Sequence, residues 1–300
     1  MITDSQTNRV YFSQLLENKL QYAVFSKDLK SILDKHGIHY GFLPETLDIW
    51  CRDYMPVQTN SDNFIQYRYE PDYLLSKKYR RIKTYPDLVC DHIGIQTRKT
   101  NIILDGGNIV KSKNKVIMTD KIIPENSPHF LKAELLSELR KLFEVDEIVL
   151  IPWFIEDEFG HADGILRFID EEQVLVDGYH KLSKSAYGEK LYKVLKMHHL
   201  KPVELNFNVR YQSNKNWGYL NFLQMEKLLL IPYFGIDEDE QALMQFKQIF
   251  PEYADKGQIE SIDASVLIKD GGVLNCASWN IMRQGLSVAS KMLNSRSRIL

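Results

Sequence analysis

An apolar run that ends in Asp-Gly-Gly occurs twice in this chain, in "IILDGGNIV" at residues 102–110 and in "LIKDGGVLNCAS" at residues 267–278. A glycine pair lets the backbone turn tightly and lets a ligand approach closely. Around both strings the hydrophobic pattern indicates a unit of two strands, a helix and a strand, repeated about five times by shape rather than by residue identity. This pattern predicts an α/β fold in which one reused unit supplies similar turns around a common centre.

The individual elements follow from hydrophobic periodicity and from turn residues. Helices are expected at residues 26–37, 128–143, 186–199 and 238–250. Strands or hairpins are expected at residues 39–44, 63–70, 101–120, 147–153, 165–178, 218–234 and 258–278. Because no linker rich in Pro, Gly or Ser divides the chain, we expect a single domain over residues 1–300.

The composition is that of an ordinary globular protein, with 44% hydrophobic residues, 26% charged residues and a net charge of −2. This charge does not favour nucleic-acid binding. The first residues lack a signal-peptide pattern, and the longest apolar run, "LLLIPYF", is too short to span a bilayer. Cys51, Cys90 and Cys276 form no CxxC pair, which argues against a structural zinc site. We therefore expect a cytoplasmic protein with reduced thiols and no membrane or nucleic-acid partner.

Two polar stretches are the first candidates for chemistry. In "DIWCRDYMP" (48–56), Arg52 and Asp53 either form a local ion pair on a surface loop or belong to a site. In "EDEFGHADGILRF" (156–168), His161 and Asp163 are two positions apart and would point the same way on an extended segment. The alternative is a solvated acidic loop. No further His or Cys lies close in sequence, so we expect no metal.

Two further stretches each hold one polar residue in an apolar context. Asn221 lies in a predicted strand, where it either bridges the sheet or contacts a substrate, since a buried Asn must be hydrogen-bonded. Cys276 follows the second glycine pair at the end of a predicted strand and is either buried filler or a nucleophile. Cys51 and Cys90 follow no such turn, and we interpret both as structural. Asn108 is expected to cap the first Asp-Gly-Gly turn.

Taken in order, these stretches resemble the agmatine deiminase and bacterial peptidyl-arginine deiminase family, which belongs to the guanidino-group-modifying enzymes of the pentein fold. Five motifs occur in family order between about residues 48 and 278. The matching positions are Trp50, Arg52, Asp53 and Pro56; Gly106, Gly107 and Asn108; His161, Asp163, Arg167 and Phe168; Tyr219, Asn221 and Phe222; and Gly271, Gly272 and Cys276. The chain departs from the family pattern at Met55, at Asn275 and after Cys276, where Ala277 begins a different segment.

The resemblance implies a pentein-type five-bladed α/β propeller built from ββαβ units. It also implies a cofactor-free hydrolase of C–N bonds in linear amidines, which converts a guanidino group to a ureido group and ammonia. In this interpretation Asp53 and Asp163 hold the guanidinium by charge-assisted hydrogen bonds. The Cys276 thiolate attacks the guanidinium carbon to form a thiouronium, and His161 acts first as acid and then as base.

The resemblance leaves the substrate open among agmatine, free arginine and peptidyl arginine, so the expected partner is a small-molecule or peptide guanidino compound. Trp50 and Asn221 are further candidate substrate contacts. Arg68 either binds a substrate carboxylate, as a similarly placed arginine does in peptidyl-arginine members, or is a solvated strand residue. The acidic residues at 156–158 either attract a cationic substrate or form a solvated loop.

Two other functions use the same residues. An amidinotransferase would resolve the thiouronium with an amine instead of water, and a binding protein would keep the cleft without turnover. The basic tail at 283–300 is expected to form a terminal helix with a solvated face. The sequence leaves the oligomeric state open.

Overall fold

The structure is a computed structural model that describes residues 1–77, 79–127, 129–179 and 185–283. Within these residues, fifteen strands form five three-stranded sheets. The strands are β1 (Arg9–Ser13), β2 (His39–Leu43), β3 (Val57–Gln58), β4 (Phe64–Arg68), β5 (Arg98–Ile103), β6 (Val110–Lys111), β7 (Lys115–Thr119), β8 (Glu147–Ile151), β9 (Leu166–Phe168), β10 (Gln173–Asp177), β11 (Lys201–Leu205), β12 (Leu223–Met225), β13 (Leu228–Tyr233), β14 (Ile259–Asp263) and β15 (Ser278–Ile281).

Helices connect these strands and carry several of the polar motifs. The α-helices are α1 (Leu15–Asn18), α2 (Ala23–Lys35), α3 (Cys51–Tyr54), α4 (Pro86–Ile93), α5 (Ile122–Asn126), α6 (Lys132–Phe143), α7 (Ala186–Met197), α8 (Asp239–Ile249), α9 (Pro251–Ala254), α10 (Ser265–Ile268) and α11 (Leu274–Ala277). Short 3₁₀ segments lie at Asp4–Gln6, Leu20–Tyr22, Asp72–Leu75, Arg80–Ile82, Gly106–Asn108, Ala162–Gly164 and Asn216–Asn221.

Every sheet in the described part of the chain has the same topology. The middle strand pairs antiparallel with one neighbour and parallel with the other. A parallel pair needs a crossover, which α2, α4, α6, α7 and α8 supply in the successive sheets. Four sheets use consecutive strands, whereas the sheet β15-β1-β2 joins the two ends of the described chain, with Val10 opposite Asn280. The predicted α/β fold of ββαβ units is therefore confirmed.

The five units also contact one another in chain order. Strand β6 packs beside β9, the 3₁₀ segment at Ala162–Gly164 beside that at Asn216–Asn221, and β12 beside the segment at Asp4–Gln6. Helix α3 contacts β1 and β15 of the first unit and the 3₁₀ segment at Gly106–Asn108 that precedes β6. The units thus close a ring, and the turns at their inner ends meet near its centre.

The crossover helices are stabilised by packing of their apolar faces against the sheets rather than by intrinsic helix stability. Helix α6 buries Leu135, Leu139, Leu142 and Phe143 at helical spacing, while its charged residues are exposed. The middle strands are buried along their length, as in β13, where all residues but Tyr233 are buried. Burial on this scale is the main stabilising term in the fold.

Most predicted elements are confirmed at the level of type, with shifted ends. Helix α6 begins four residues later than expected, and Pro128 lies outside the described residues. The expectation of strands throughout 258–278 is wrong after β14, because residues 265–268 and 274–277 form one-turn helices. A short apolar run is compatible with either a buried strand or a buried helical turn, so periodicity alone does not separate them.

Three expectations stay predictions. The terminal helix at 283–300 lies outside the described residues beyond residue 283. For the same reason the single domain over 1–300 is not tested. In the described part of the chain, no helix combines the length and apolar character needed to cross a membrane. The cytoplasmic location is a further untested prediction.

Candidate active site

His161, Asp163 and Cys276 come together at the wall of one cavity of about 650 Å³. They belong to different units of the ring: His161 and Asp163 lie just before β9, and Cys276 lies in α11 just before β15. The cavity also has aromatic walls that include Phe154, Phe159 and Trp217. The shape and the few convergent polar groups are typical of a small-molecule site.

Asn221 holds the Cys276 segment in place. The backbone N–H of Cys276 donates to Asn221 Oδ1 at 3.0 Å, and Asn221 Nδ2 lies 3.1 Å from both Cys276 Sγ and Asp163 Oδ2. Asn221 itself is fully buried at the end of a 3₁₀ segment, so its expected place inside a strand is wrong. The 3₁₀ turn directs the amide to the sulfur and the carboxylate together.

Asp163 faces the sulfur of Cys276. Its Oδ2 atom accepts hydrogen bonds from Nδ2 of Asn275 at 2.7 Å and of Asn221, and lies 3.7 Å from Cys276 Sγ. The expected extended segment is wrong here as well, because Asp163 lies in the 3₁₀ turn at Ala162–Gly164 and only His161 before it is extended. Both side chains nevertheless line the same cavity.

The free thiol of Cys276 is held in its neutral form. The residue is 7% exposed, and burial raises the pKa of the thiol well above its ordinary value, with the Asp163 and Asp53 carboxylates adding to the effect. A thiol is a poor nucleophile, so the empty site does not favour attack by this sulfur.

His161 is held between two carboxylates. Its Nε2 atom lies 2.9 Å from Asp105 Oδ2, and its Nδ1 atom lies 3.8 Å from Asp53 Oδ1. Burial disfavours the imidazolium, but Asp105 and Asp53 outweigh it and raise the pKa of His161 well above its ordinary value. Burial likewise raises the pKa of Asp105, yet the charged His161 outweighs this and leaves that pKa lowered.

Asp105 is the site residue that the sequence analysis missed. It is the aspartate of the first Asp-Gly-Gly string and is buried, whereas Asp270, its counterpart in the second string, is exposed and accepts a hydrogen bond from Tyr22. A further hydrogen bond reaches Asp105 from the hydroxyl of Tyr73 at 3.3 Å. The repeated Asp-Gly-Gly string was the available signal, since a turn near the centre can place its acid at the site.

Asp53 and the first glycine pair close the other side of the site. Asp53 lies in the one-turn helix α3, not in a loop, and its Oδ1 accepts the N–H of Gly107 at 3.1 Å. Burial and the carboxylates of Asp105 and Asp163 raise the pKa of Asp53 well above its ordinary value, which His161 offsets only in part. A Cβ at Gly107 would lie 2.3 Å from His161 Nδ1, so this close approach requires glycine.

The arginines of the motifs have structural partners. Arg52 does not form the local pair with Asp53 but donates to the carbonyl of Asn275 at 3.3 Å and to Asn280 Oδ1 at 2.6 Å. Arg167 donates to the carbonyl of Phe222 at 3.0 Å. These contacts tie the Cys276 segment and the Asn221 segment to neighbouring units.

Of the predicted substrate contacts, Asp163 lines the cavity, and Asp53 and Asn221 lie behind the wall beside His161 and Cys276. The other two, Trp50 and Arg68, are not in the cavity wall. Trp50 packs against Gly272, where a Cβ would lie 2.5 Å from the indole, so this ring supports the turn before Cys276. Arg68 is exposed, and its Nε donates to Glu70 Oε2 at 2.7 Å. Arg68 does not line the cavity that holds Cys276, and its guanidinium is paired with the carboxylate of Glu70, two positions later.

The carboxylates of the site are also candidates for binding a metal ion. Among residues 1–77, 79–127, 129–179 and 185–283, no group of three or more His, Cys, Asp or Glu side chains is arranged to hold a metal ion. The acidic groups of the site lie instead beside His161 and the thiol of Cys276.

The chain matches known proteins over most of its length. A sequence profile of Porphyromonas-type peptidyl-arginine deiminase matches residues 12–281. A Mycoplasma capricolum protein provisionally named agmatine deiminase is 22% identical over 222 residues, which are 63% of this chain and 60% of that relative. The match thus spans less than two thirds of the relative's length.

Solved structures share the fold. The agmatine deiminase of C. jejuni superposes with a TM-score of 0.71 at 18% identity, covering 95% of this chain and 96% of that one. A structure of the agmatine deiminase of Enterococcus faecalis gives the same TM-score at 15% identity and the same coverage of both chains. Because the family profile covers residues 12–281, which include His161, Asp163 and Cys276, this chain belongs to the Porphyromonas-type peptidyl-arginine deiminase family.

Proposed function

We propose that this chain is a cysteine-dependent deiminase that hydrolyses a guanidino group to a ureido group and ammonia. The observation that carries the proposal is the convergence of Cys276, His161 and Asp163 at the wall of one cavity, with the sulfur 3.7 Å from a carboxylate oxygen and Asp53 behind the wall, 3.8 Å from His161. Family membership supports the same reaction class. The activity, the substrate and the cofactor-free mechanism below are parts of this proposal.

The guanidinium would bind between Asp163 and Asp53. A guanidinium is a planar cation with donors on all sides, and two carboxylates hold it by charge-assisted hydrogen bonds. Asp163 already lies beside the sulfur, so a cation on Asp163 lies within reach of attack. Asp53, whose pKa is raised in the empty site, ionises when the cation arrives.

The substrate would also activate the nucleophile. In the empty site burial and the Asp163 carboxylate keep the thiol of Cys276 neutral. The bound cation reverses the local charge, so the thiol releases its proton to solvent and the thiolate attacks the guanidinium carbon. The product of this step is a tetrahedral adduct on Sγ.

His161 would supply and then recover one proton. Its raised pKa keeps the imidazolium charged at neutral pH, and its Nδ1–H lies 3.8 Å from Asp53, too long for a hydrogen bond that would hold the proton. His161 therefore protonates the departing amine, the C–N bond breaks and ammonia leaves a covalent thiouronium. The neutral imidazole then takes a proton from water, which attacks the same carbon and releases the ureido product and the thiolate.

The cavity favours a substrate without a carboxylate. Among the described residues that line it, no Lys or Arg is present, whereas Glu156, Asp157 and Asp177 are. Along the described part of this wall, a carboxylate at the far end of the substrate would meet like charges and no Lys or Arg. We therefore place agmatine-like compounds ahead of free arginine, and Arg68, paired with Glu70, has no role in this proposal.

The test is product analysis on purified protein. Agmatine, free arginine and a peptide with an internal arginine are incubated with wild type and with Cys276→Ala, and ammonia and ureido product are both quantified. We expect equal amounts of the two products from a substrate without a carboxylate, and none from Cys276→Ala. A repeat with an added acceptor amine separates the transferase, which would transfer the amidino group and release no ureido product. Absence of Cys276-dependent chemistry with every compound, in protein shown to be folded, contradicts the proposal.

A further inference from the structure

Asn216 is a buried side chain in the cavity wall that lacks a partner. The residue is 4% exposed, and among the described residues neither its Nδ2 nor its Oδ1 makes a hydrogen bond. It begins the 3₁₀ segment that ends at Asn221, so one short element carries both the residue beside Cys276 and this one. A buried amide with no partner costs free energy, which a ligand that supplies the partner recovers.

The chemistry of Asn216 selects for an uncharged polar group. Its side chain offers two donors and one acceptor, and the group that complements both is another amide. A carboxylate would use only the donors. An ammonium would use only the acceptor and would gain less from a neutral carbonyl than from water or a carboxylate.

The acids that line the cavity are engaged elsewhere or exposed. The carboxylate of Asp157 accepts the backbone N–H groups of Phe159, Gly160 and His161, and Asp177 accepts that of Tyr179. Glu156 is exposed at the rim. These acids hold the backbone around them and make the electrostatic potential at the cavity entrance more negative. None of them is a partner for Asn216, which stays buried and without a hydrogen bond among the described residues.

The size of the cavity also exceeds what a short guanidinoalkyl chain needs. A volume of about 650 Å³ falls within the range of roughly 300–1,000 Å³ that holds drug-sized ligands. Next to Asn216, Trp217 and Ile165 add apolar surface that a carbon chain beyond the amide would cover. Beyond the part of the cavity that would hold the guanidino group, the wall therefore presents the Asn216 amide together with apolar side chains.

We propose that Asn216 is a specificity residue that binds an uncharged amide at the far end of the substrate. The substrate class is then an N-acylated guanidinoalkylamine, that is, a guanidino compound whose distal amine is capped by an acyl group. This inference rests on the proposed function, since it names the substrate of the same site.

Binding and turnover are measured separately, with N-acetylagmatine and agmatine as probes. Binding is followed by calorimetry in the Cys276→Ala background, which does not depend on catalysis. We expect N-acetylagmatine to bind more tightly than agmatine. The added substitution Asn216→Ala weakens N-acetylagmatine about tenfold, the loss of roughly one to two hydrogen bonds, and leaves agmatine within about twofold. Asn216→Asp reverses the order, because a carboxylate prefers the ammonium.

The matched control is Asn214→Ala, which removes the same amide from an exposed position on the same cavity. It leaves both affinities unchanged, and thermal unfolding confirms that each variant is folded. In the catalytically competent chain the Asn216 effect appears in KM rather than kcat. Equal weakening of both probes by Asn216→Ala assigns Asn216 a structural role and overturns the inference alone. If neither N-acetylagmatine nor agmatine binds, the inference and the proposed function are both overturned. If agmatine is turned over but Asn216→Ala changes neither the affinity nor the KM for N-acetylagmatine, only the inference is overturned.

Discussion

The sulfur of Cys276 lies 3.7 Å from Oδ2 of Asp163, so a carboxylate lies beside the nucleophile in the empty site. The same oxygen accepts hydrogen bonds from Asn221 and Asn275, which fix it there. A carboxylate at this distance keeps the thiol protonated and inactive until a cation arrives. The arrangement couples binding of the substrate to ionisation of the nucleophile.

The first prediction concerns this coupling. Burial comes first among the causes that raise the Cys276 pKa, and the Asp163 charge comes second. Asp163→Asn removes that negative charge, so the thiol pKa falls and alkylation of Cys276 by iodoacetamide begins at lower pH than in wild type. The measurement is the pH dependence of the alkylation rate, read by mass spectrometry of the Cys276 peptide.

Cys90 is an internal control for this experiment. It is buried, and burial raises its pKa to about 12. It should remain unmodified in both proteins. An alkylation profile of Cys276 that does not move in Asp163→Asn, or that moves to higher pH, would show that this carboxylate does not govern the thiol.

The second prediction compares Asp105 and Asp270, the aspartates of the two Asp-Gly-Gly strings. Asp105→Asn removes the carboxylate that holds the charged form of His161, so the His161 pKa falls. Since His161 must be protonated to release ammonia, the alkaline limb of the kcat profile moves to lower pH and kcat at neutral pH falls at least about tenfold. The measurement is the pH–rate profile for ammonia release.

Asp270→Asn is the matched control for that change, because Asp270 has the same place in the second string but is exposed and contacts Tyr22. It should leave the alkaline limb in place. A loss of rate in Asp105→Asn with an unshifted profile would mean that Asp105 acts through packing rather than through the charge of His161.

A third prediction follows from the close approach of the first glycine pair. Gly107→Ala would place a Cβ 2.3 Å from His161 Nδ1 and 2.8 Å from Asp53 Oδ1, so one of these side chains must move. A displacement of about 1 Å in such a site lowers the rate roughly a hundredfold. We expect kcat/KM for ammonia release to fall by about that factor while the protein stays folded by circular dichroism.

Gly164→Ala provides the comparison at the same cavity, since its added Cβ would meet nothing closer than Trp217 at 3.8 Å. It should retain activity within a few-fold. Full activity in Gly107→Ala would instead show that the site tolerates a different placement of His161.

Sequence patterns predict the parts of this protein that repeat or that are strongly periodic. Helix α7 buries Leu191 and Leu195 one turn apart, and the sequence shows this spacing directly. The five ββαβ units follow from the same kind of signal. The motifs around Cys276 and His161 are recognisable because both are flanked by small residues that leave room for a ligand.

Other parts depend on contacts between distant segments. The pairing of Asp105 with His161 joins residues 56 positions apart, and no local pattern encodes it. The one-turn helix around Cys276 depends on the amide of Asn221 from another unit. The pairing of Arg68, in contrast, had a local signal in the sequence. Glu70 lies two positions later, and on an extended segment residues two positions apart lie on the same side, so their charges can pair.

The last prediction concerns a buried ion cluster that closes the ring. Arg167 donates to Asp4 Oδ2 at 2.8 Å, and Lys111 lies 3.3 Å from Asp4 Oδ1. Burial raises the pKa of the Asp4 carboxyl, but Lys111, Arg52 and Arg167 outweigh it and lower that pKa overall. Asp4→Asn leaves these buried cations without their carboxylate, so the free energy of unfolding at pH 7 falls by about 3 kcal/mol.

The pH dependence has a definite sign. Because the folded pKa of Asp4 is depressed, its contribution is present above the unfolded value of about 3.9 and is lost as the pH falls toward the folded value. Urea unfolding of wild type and Asp4→Asn at pH 7 and pH 3.5 measures this, and the difference between them shrinks at the lower pH. Glu172→Gln is the control, since its exposed pair with Lys201 contributes less than about 1 kcal/mol. If Asp4→Asn and Glu172→Gln lower the free energy of unfolding by the same amount, the Asp4 carboxylate does not stabilise the contact with Lys111 and Arg167.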